Sequence, residues 1–133
     1  MTTTRDQAQL LRRALRANGT FSITSGIAFI LAARPIANLI GIDYPVVIAG
    51  IGLSLAFFAV ALFYNAARSE VSRIEAALAV AGDLAWVAGS GIVIALGILT
   101  TSGNWAVAAI ADIVLLFAIF QFVGLRRLTR IPS

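Results

Sequence analysis

The stretch YPVVIAGIGLSLAFFAVALFYNAA, residues 44–67, runs for 24 residues without a charge. About 20 apolar residues suffice for a helix to cross a hydrocarbon core about 30 Å thick, and chance apolar runs in soluble cores rarely reach that length. Residues 84–111 form a second charge-free run and residues 17–33 a third. Hydrophobic residues make up 60% of the chain and charged residues 12%, against about 45–50% and about 25% in soluble globular proteins. A chain of 133 residues is expected to form one domain, and a domain that small needs many polar residues to cover its surface in water. This composition does not supply them, so the surface is expected to face lipid.

The polar punctuation divides the chain. Spans are expected at about 46–66, 76–99 and 105–125. The first two are separated by a loop carrying Arg68, Glu70, Arg73 and Glu75, and the last two by the polar run TTSGN at 100–104. The first span, about 20–40, is the weak one. The apolar stretch before Arg34-Pro35 is only the fourteen residues 20–33. Pro35 lacks a backbone donor and disfavours helix just before it. The span is therefore expected to be kinked or broken near Arg34-Pro35. The other reading ends it there and lays residues 35–42 in the outer interface as a short amphipathic helix.

Ahead of it, residues 1–19 read as an amphipathic segment. Leu10, Leu11, Ala14 and Leu15 oppose Arg12, Arg13 and Arg16, with Thr4 as a cap and Asp6 in the first turn. This segment lies in the interface or runs straight into the first span, and Asn18-Gly19 permits a bend between them. The basic lead and Ala32-Ala33 have the outline of a cleaved secretory signal, but Leu31 fits poorly three residues before such a cut, so the segment is expected to stay. The expected fold is all-α: an antiparallel bundle of four transmembrane helices behind an N-terminal amphipathic helix. A weak internal repeat aligns residues 19–32 with 82–95, matching Gly19 to Gly82 and Gly26 to Gly89.

All ten basic residues are Arg. Four precede the first span, two lie in the 67–75 loop and three follow the last span, so nine share one side and only Arg34 lies near the other. The positive-inside rule then places both termini, including the 126–133 tail, in the cytoplasm. Tyr44 and Trp105 fall at the outer interface and Tyr64 at the inner one, as an aromatic belt requires. Arginine without lysine, and abundant Ala, suggest a GC-rich bacterial genome. The expected location is the bacterial plasma (inner) membrane. The net charge of +4 is read as topology beside anionic lipid and not as nucleic-acid binding.

The chain has no Cys, His or Lys. Disulfides, thiol redox chemistry, imidazole or thiolate metal ligation, histidine bases and lysine Schiff bases are thereby excluded. Two carboxylates and one Arg provide no nucleophile–base constellation. The protein is expected to be no enzyme, with no metal and no predicted cofactor; a bound lipid or pigment stays open.

An ionisable group in hydrocarbon is costly and is a functional candidate by default. Asp83 and Asp112 stand out. Each lies about 11–12 Å from one end of its span, which suggests that the two approach each other in the middle third, sharing a proton or facing a cavity. Arg34 is the natural cation, reaching Asp112 or Asp43. Trp86 and Ser90 share the Asp83 face, where the indole N–H of Trp86 is placed to donate to Asp83. On the opposite side of the same helix, Ala77, Ala81, Ala85 and Gly89 recur every four residues, a stripe that lets another helix approach closely. Ser22, Ser25, Gly26 and Phe29 form a small-polar seam on the first span, and Ser54, Phe58, Ala61 and Asn65 one on the second; both are expected to serve packing.

An Arg-rich helix leading into a span, then Ala33-Arg34-Pro35 and the run IANLIG at 36–41, resembles small four-span bacterial integral membrane proteins. The resemblance implies a membrane bundle and no activity. Two functions are expected to compete. One is a non-catalytic structural or accessory subunit of a larger membrane assembly, with the bilayer and either copies of itself or other membrane subunits as partners. The other is an oligomeric small transporter or channel that uses Asp83 and Asp112 for proton or cation coupling.

Overall fold

A computed structural model describes residues 8–129 as five helices: α1 Gln9–Leu31, α2 Ala33–Ile40, α3 Pro45–Ala67, α4 Arg73–Leu96 and α5 Thr101–Thr129. There is no strand among the described residues. The expected cap at Thr4, Asp6 and the distal tail with Arg130 lie outside them. α3, α4 and α5 are each long and apolar enough to cross a membrane, and α1 with α2 makes a fourth, broken span. The chain is the all-helical antiparallel bundle that its charge-free runs predict.

The break falls at Ala32, and α2 turns through 92° relative to α1. Pro35 has no N–H to continue the α1 ladder. It sits instead in the first turn of α2, where no intrahelical donor is needed, and Ile36 N–H donates to Ala32 O at 3.0 Å. The right-angled form thus replaces a kinked crossing through Pro35. α2 ends at Gly41, whose φ of 87° lets Gly41 and Ile42 N–H both reach Ala37 O at 2.9 Å. Its last turn is tied to the α4–α5 connection, because Thr100 N–H donates to Ile40 O at 3.1 Å.

α1 recovers at its beginning the length it loses at its end. It runs from Gln9 through Asn18-Gly19 without interruption, so the amphipathic segment is the first turns of the span and not a separate helix. Leu11 and Leu15 are fully buried there, with Leu62, Val71, Ala76 and Leu128. The 23 residues of α1 reach about 34 Å at 1.5 Å per residue.

Other boundaries shift for local reasons. The TTSGN run is the cap and first turn of α5 and not a turn between spans: Thr100 Oγ1 accepts from Gly103 N–H at 3.0 Å. At the other end α5 continues through Arg126 and Arg127, where cations complement the helix dipole.

The packing order is α3–α1–α5–α4, while the consecutive helices α3 and α4 touch little. α1 and α3 cross at Gly26 and Gly52. A Cβ on Gly26 would stand 2.7 Å from Gly52 O, and one on Gly52 would stand 2.6 Å from Gly26 O. Only glycine permits this backbone contact. Gly89, the expected repeat partner of Gly26, meets nothing within 4 Å, so the repeat does not extend to packing. The whole stripe of Ala77, Ala81, Ala85 and Gly89 is exposed on the outside of the bundle.

The arginine-rich end is closed by polar clasps. The Arg12 guanidinium, buried, donates to Ala66 O at 2.8 Å and Ser69 O at 2.8 Å, and also to Arg68 O. It therefore caps the C-terminus of α3, whose last carbonyls lack helical partners. Asn65 brackets the following loop, accepting from Ser72 N–H at 2.7 Å and donating to Ser72 O at 3.1 Å. Ser72 then caps α4, its Oγ accepting from Glu75 N–H at 3.2 Å.

Candidate functional site: a carboxylate at a four-helix cavity

Asn18 from α1, Asp83 from α4 and Gln121 from α5 meet inside the bundle, 1%, 4% and 0% exposed. Asn18 Nδ2 donates to Asp83 Oδ2 at 2.8 Å, and Gln121 Nε2 donates to the same oxygen at 2.6 Å. Asn18 Nδ2 also donates to Gln121 Oε1 at 2.9 Å. Ser22 Oγ completes the set by donating to Asn18 Oδ1 at 3.2 Å. Three helices are thus joined through one carboxylate oxygen.

Beside this cluster lies a cavity of about 330 Å³ lined by α1, α3, α4 and α5. Asn18, Ser22 and Asp83 form its polar wall, and Phe21, Phe29, Phe58 and Trp86 much of the rest. Ser25 and Ser54 also face it. Ser22, Ser25 and Phe29 of one small-polar seam and Ser54 and Phe58 of the other thus line a space between helices, while Gly26 packs against Gly52 as expected and Asn65 holds the loop after α3. Ser54 still satisfies itself by donating to Gly50 O at 3.0 Å. Phe21 is held by Phe117, ring centroids 5.5 Å apart. Among the described residues, Asp83 is the only ionisable one lining the cavity.

The candidates named from the sequence separate. Asp83 is at the centre. Trp86 lines the cavity one turn further along α4, but its Nε1 is buried without a hydrogen-bond partner and does not reach Asp83. Ser90 is buried one turn beyond. Asp112 is exposed on the outer side of α5 and does not join Asp83. The reason is depth. Asp83 is level with Gln121, and Asp112 lies nine residues away on α5, about 14 Å along the axis. Similar distances counted from opposite ends of antiparallel helices put the two acids at different depths. Arg34 is exposed on α2, with no hydrogen bond or ion pair to Asp112 or Asp43 among the described residues.

Asn18 and Gln121 are the residues that sequence reasoning missed. Asn18 read only as permitting a bend, and Gln121 carried no role in the sequence reading. Only the helix bounds of the structure reveal their common level: Asn18 is nine residues from the start of α1, Asp83 ten from the start of α4, and Gln121 eight from the end of α5. All three therefore lie about 12–15 Å from the same end of the bundle.

Among the described residues no group of acids could hold a metal ion. The site offers a charge, amide donors and aromatic faces, and it lacks a nucleophile with an adjacent base. Comparison with known proteins adds no identity: no family model, no curated protein and no solved structure matches this chain.

Proposed function

We propose that this protein is a small, non-catalytic membrane transporter whose substrate site is the four-helix cavity and whose coupling group is Asp83. One observation carries the reading: a buried carboxylate on the wall of an intramembrane cavity. A carboxylate that only locked helices together needs no space beside it. Here Asn18 and Gln121 fix the carboxylate in place with two N–H bonds, and the cavity leaves room for what neutralises it. The thinly packed seam between α3 and α4 supports a path that opens by separating those helices.

The test uses proteoliposomes holding an internal pH dye. A panel of small apolar cations, anions and neutral compounds is added, and substrate-driven proton movement is recorded for the wild type and for Asp83→Asn. The reading expects movement with at least one compound, lost in the variant. It fails if no compound moves protons or if the variant equals the wild type.

The arginine asymmetry supports placing both termini on the cytoplasmic side of a bacterial inner membrane.

A second reading, an accessory subunit of a larger assembly, is favoured by Asp112. An exposed carboxylate about 21 Å along the apolar span from Arg126 is costly against lipid, and a neighbouring helix would cover it. Native mass spectrometry from nanodiscs tests this. A partner or second copy, lost in Asp112→Leu, is the expected result; a monomer in both proteins contradicts it.

A further inference from the structure

We infer that the cavity binds a small lipophilic monocation, an organic ammonium with an aromatic or branched apolar body, as the counter-ion of Asp83. This rests on the transporter reading and specifies its substrate class. Four features point to it.

The first is charge. Among the described residues, Asp83 is the only ionisable side chain on the cavity wall, and none of their arginines lines it. The residues that bond it or line the cavity beside it are Asn18 and Ser22 on α1, Phe58 on α3, Trp86 on α4, and Val114 and Gln121 on α5. None carries a positive charge. A carboxylate buried among these groups is neutralised by a proton or by a cation that enters the cavity.

The second is which oxygen is occupied. Both amide donors converge on Oδ2, and no hydrogen bond among the described residues goes to Oδ1. The carboxylate is held by one oxygen and has the other to offer.

The third is the aromatic wall. Phe21, Phe29, Phe58 and Trp86 surround the same space. Ring faces attract a cation, most strongly where water is excluded, and they give an apolar body its contact area. An anion would be repelled by both Asp83 and the rings.

The fourth is size and setting. About 330 Å³ lies at the small end of ligand sites and suits a single-ring amine better than a lipid. The cavity lies within the span, so a ligand that dissolves in the bilayer is the kind that reaches it.

Exchange at this site balances in charge: the cation enters as the proton leaves Asp83, and the reverse step restores the proton.

The test uses the full chain with Trp105→Phe, which leaves Trp86 as the only tryptophan. In a nonionic detergent, Trp86 fluorescence is titrated with benzyltrimethylammonium and with neopentylbenzene, its uncharged carbon isostere. The expected result is at least tenfold tighter binding of the cation. Asp83→Asn is expected to erase that preference while still binding the isostere, which also shows that the variant is folded. Phe58→Leu, which keeps the carboxylate, is expected to weaken the cation severalfold more than the isostere. Equal binding of the two compounds, or a cation preference that survives Asp83→Asn, overturns the cation assignment and leaves the cavity as a ligand site. Failure of both compounds to change Trp86 emission overturns the cation assignment and the cavity reading together.

Discussion

Gln121 Nε2 lies 2.6 Å from Asp83 Oδ2, so the last span is fastened to the third through a buried carboxyl group. The contact has an isosteric test. Gln121→Leu removes one donor from Asp83 and one acceptor from Asn18, leaving both buried. A lost bond with stranded partners costs roughly 1–3 kcal/mol in water-soluble proteins, and measured intramembrane bonds reach about 1.7 kcal/mol. We expect a loss of about 1–2 kcal/mol by steric-trap unfolding in bicelles. Combined with Asn18→Leu, the loss should fall short of the sum of the single losses, because the Asn18–Gln121 bond is broken in either single variant and is counted twice in that sum. Strict additivity would mean that the three side chains do not act as a unit.

The Gly26–Gly52 crossing predicts a contrast between glycines of one helix. Gly52→Val drives a branched side chain into Gly26 O and Phe29 and should cost about 1–3 kcal/mol or abolish folding. Gly50, two residues earlier, has nothing within 4 Å. Gly50→Ala should leave stability unchanged or raise it by up to about 1 kcal/mol. Reversible unfolding in mild detergent separates the two.

Arg12 and Arg13 are adjacent yet should behave differently. Arg12→Met removes the guanidinium from three carbonyls around the end of α3, while keeping much of the apolar stem. We expect a loss of about 2 kcal/mol, near the middle of the range for charged hydrogen bonds, and faster proteolysis in the 68–72 loop. Arg13 is exposed, and Arg13→Met should stay within about 0.5 kcal/mol. Equal effects would show that these arginines act only as surface charge.

The absence of cysteine makes orientation directly measurable. Ser69 and Ser102 are exposed at opposite ends of the bundle. In intact cells a membrane-impermeant maleimide should label Ser102→Cys, and should label Ser69→Cys only after permeabilisation. The reverse pattern would invert the topology drawn from the arginines.

These residues also show what the sequence discloses. The spans of α3, α4 and α5 were legible because charge is absent over lengths that only a membrane requires. Asp83 was legible as a lone acid in such a run. The start of α1 was not, because Arg12, Arg13 and Arg16 look like the end of an apolar segment, whereas Arg12 is buried against three carbonyls at and just beyond the end of α3. Asn18 and Gln121 escaped for the same reason. An amide near the polar end of one span says nothing until the register between helices is set, and register depends on contacts such as Gly26 with Gly52, between positions far apart in the chain. Asp112 was visible as an acid but misplaced in depth, since periodicity gives a face and not a level.

The site's three main members come from the first, third and last spans, and that has a consequence for biogenesis. As the chain emerges, Asn18 reaches the bilayer long before Asp83 is synthesised, and Gln121 follows Asp83 by a further 38 residues. Early in synthesis α1 therefore lacks the groups that satisfy its polar side chains, and its arginine end lacks the α3 carbonyls that receive Arg12. A nascent chain stalled before α5 should hold its first span loosely, exposed to quality-control proteases, and the arrival of α5 is what locks the first span to the third and the last.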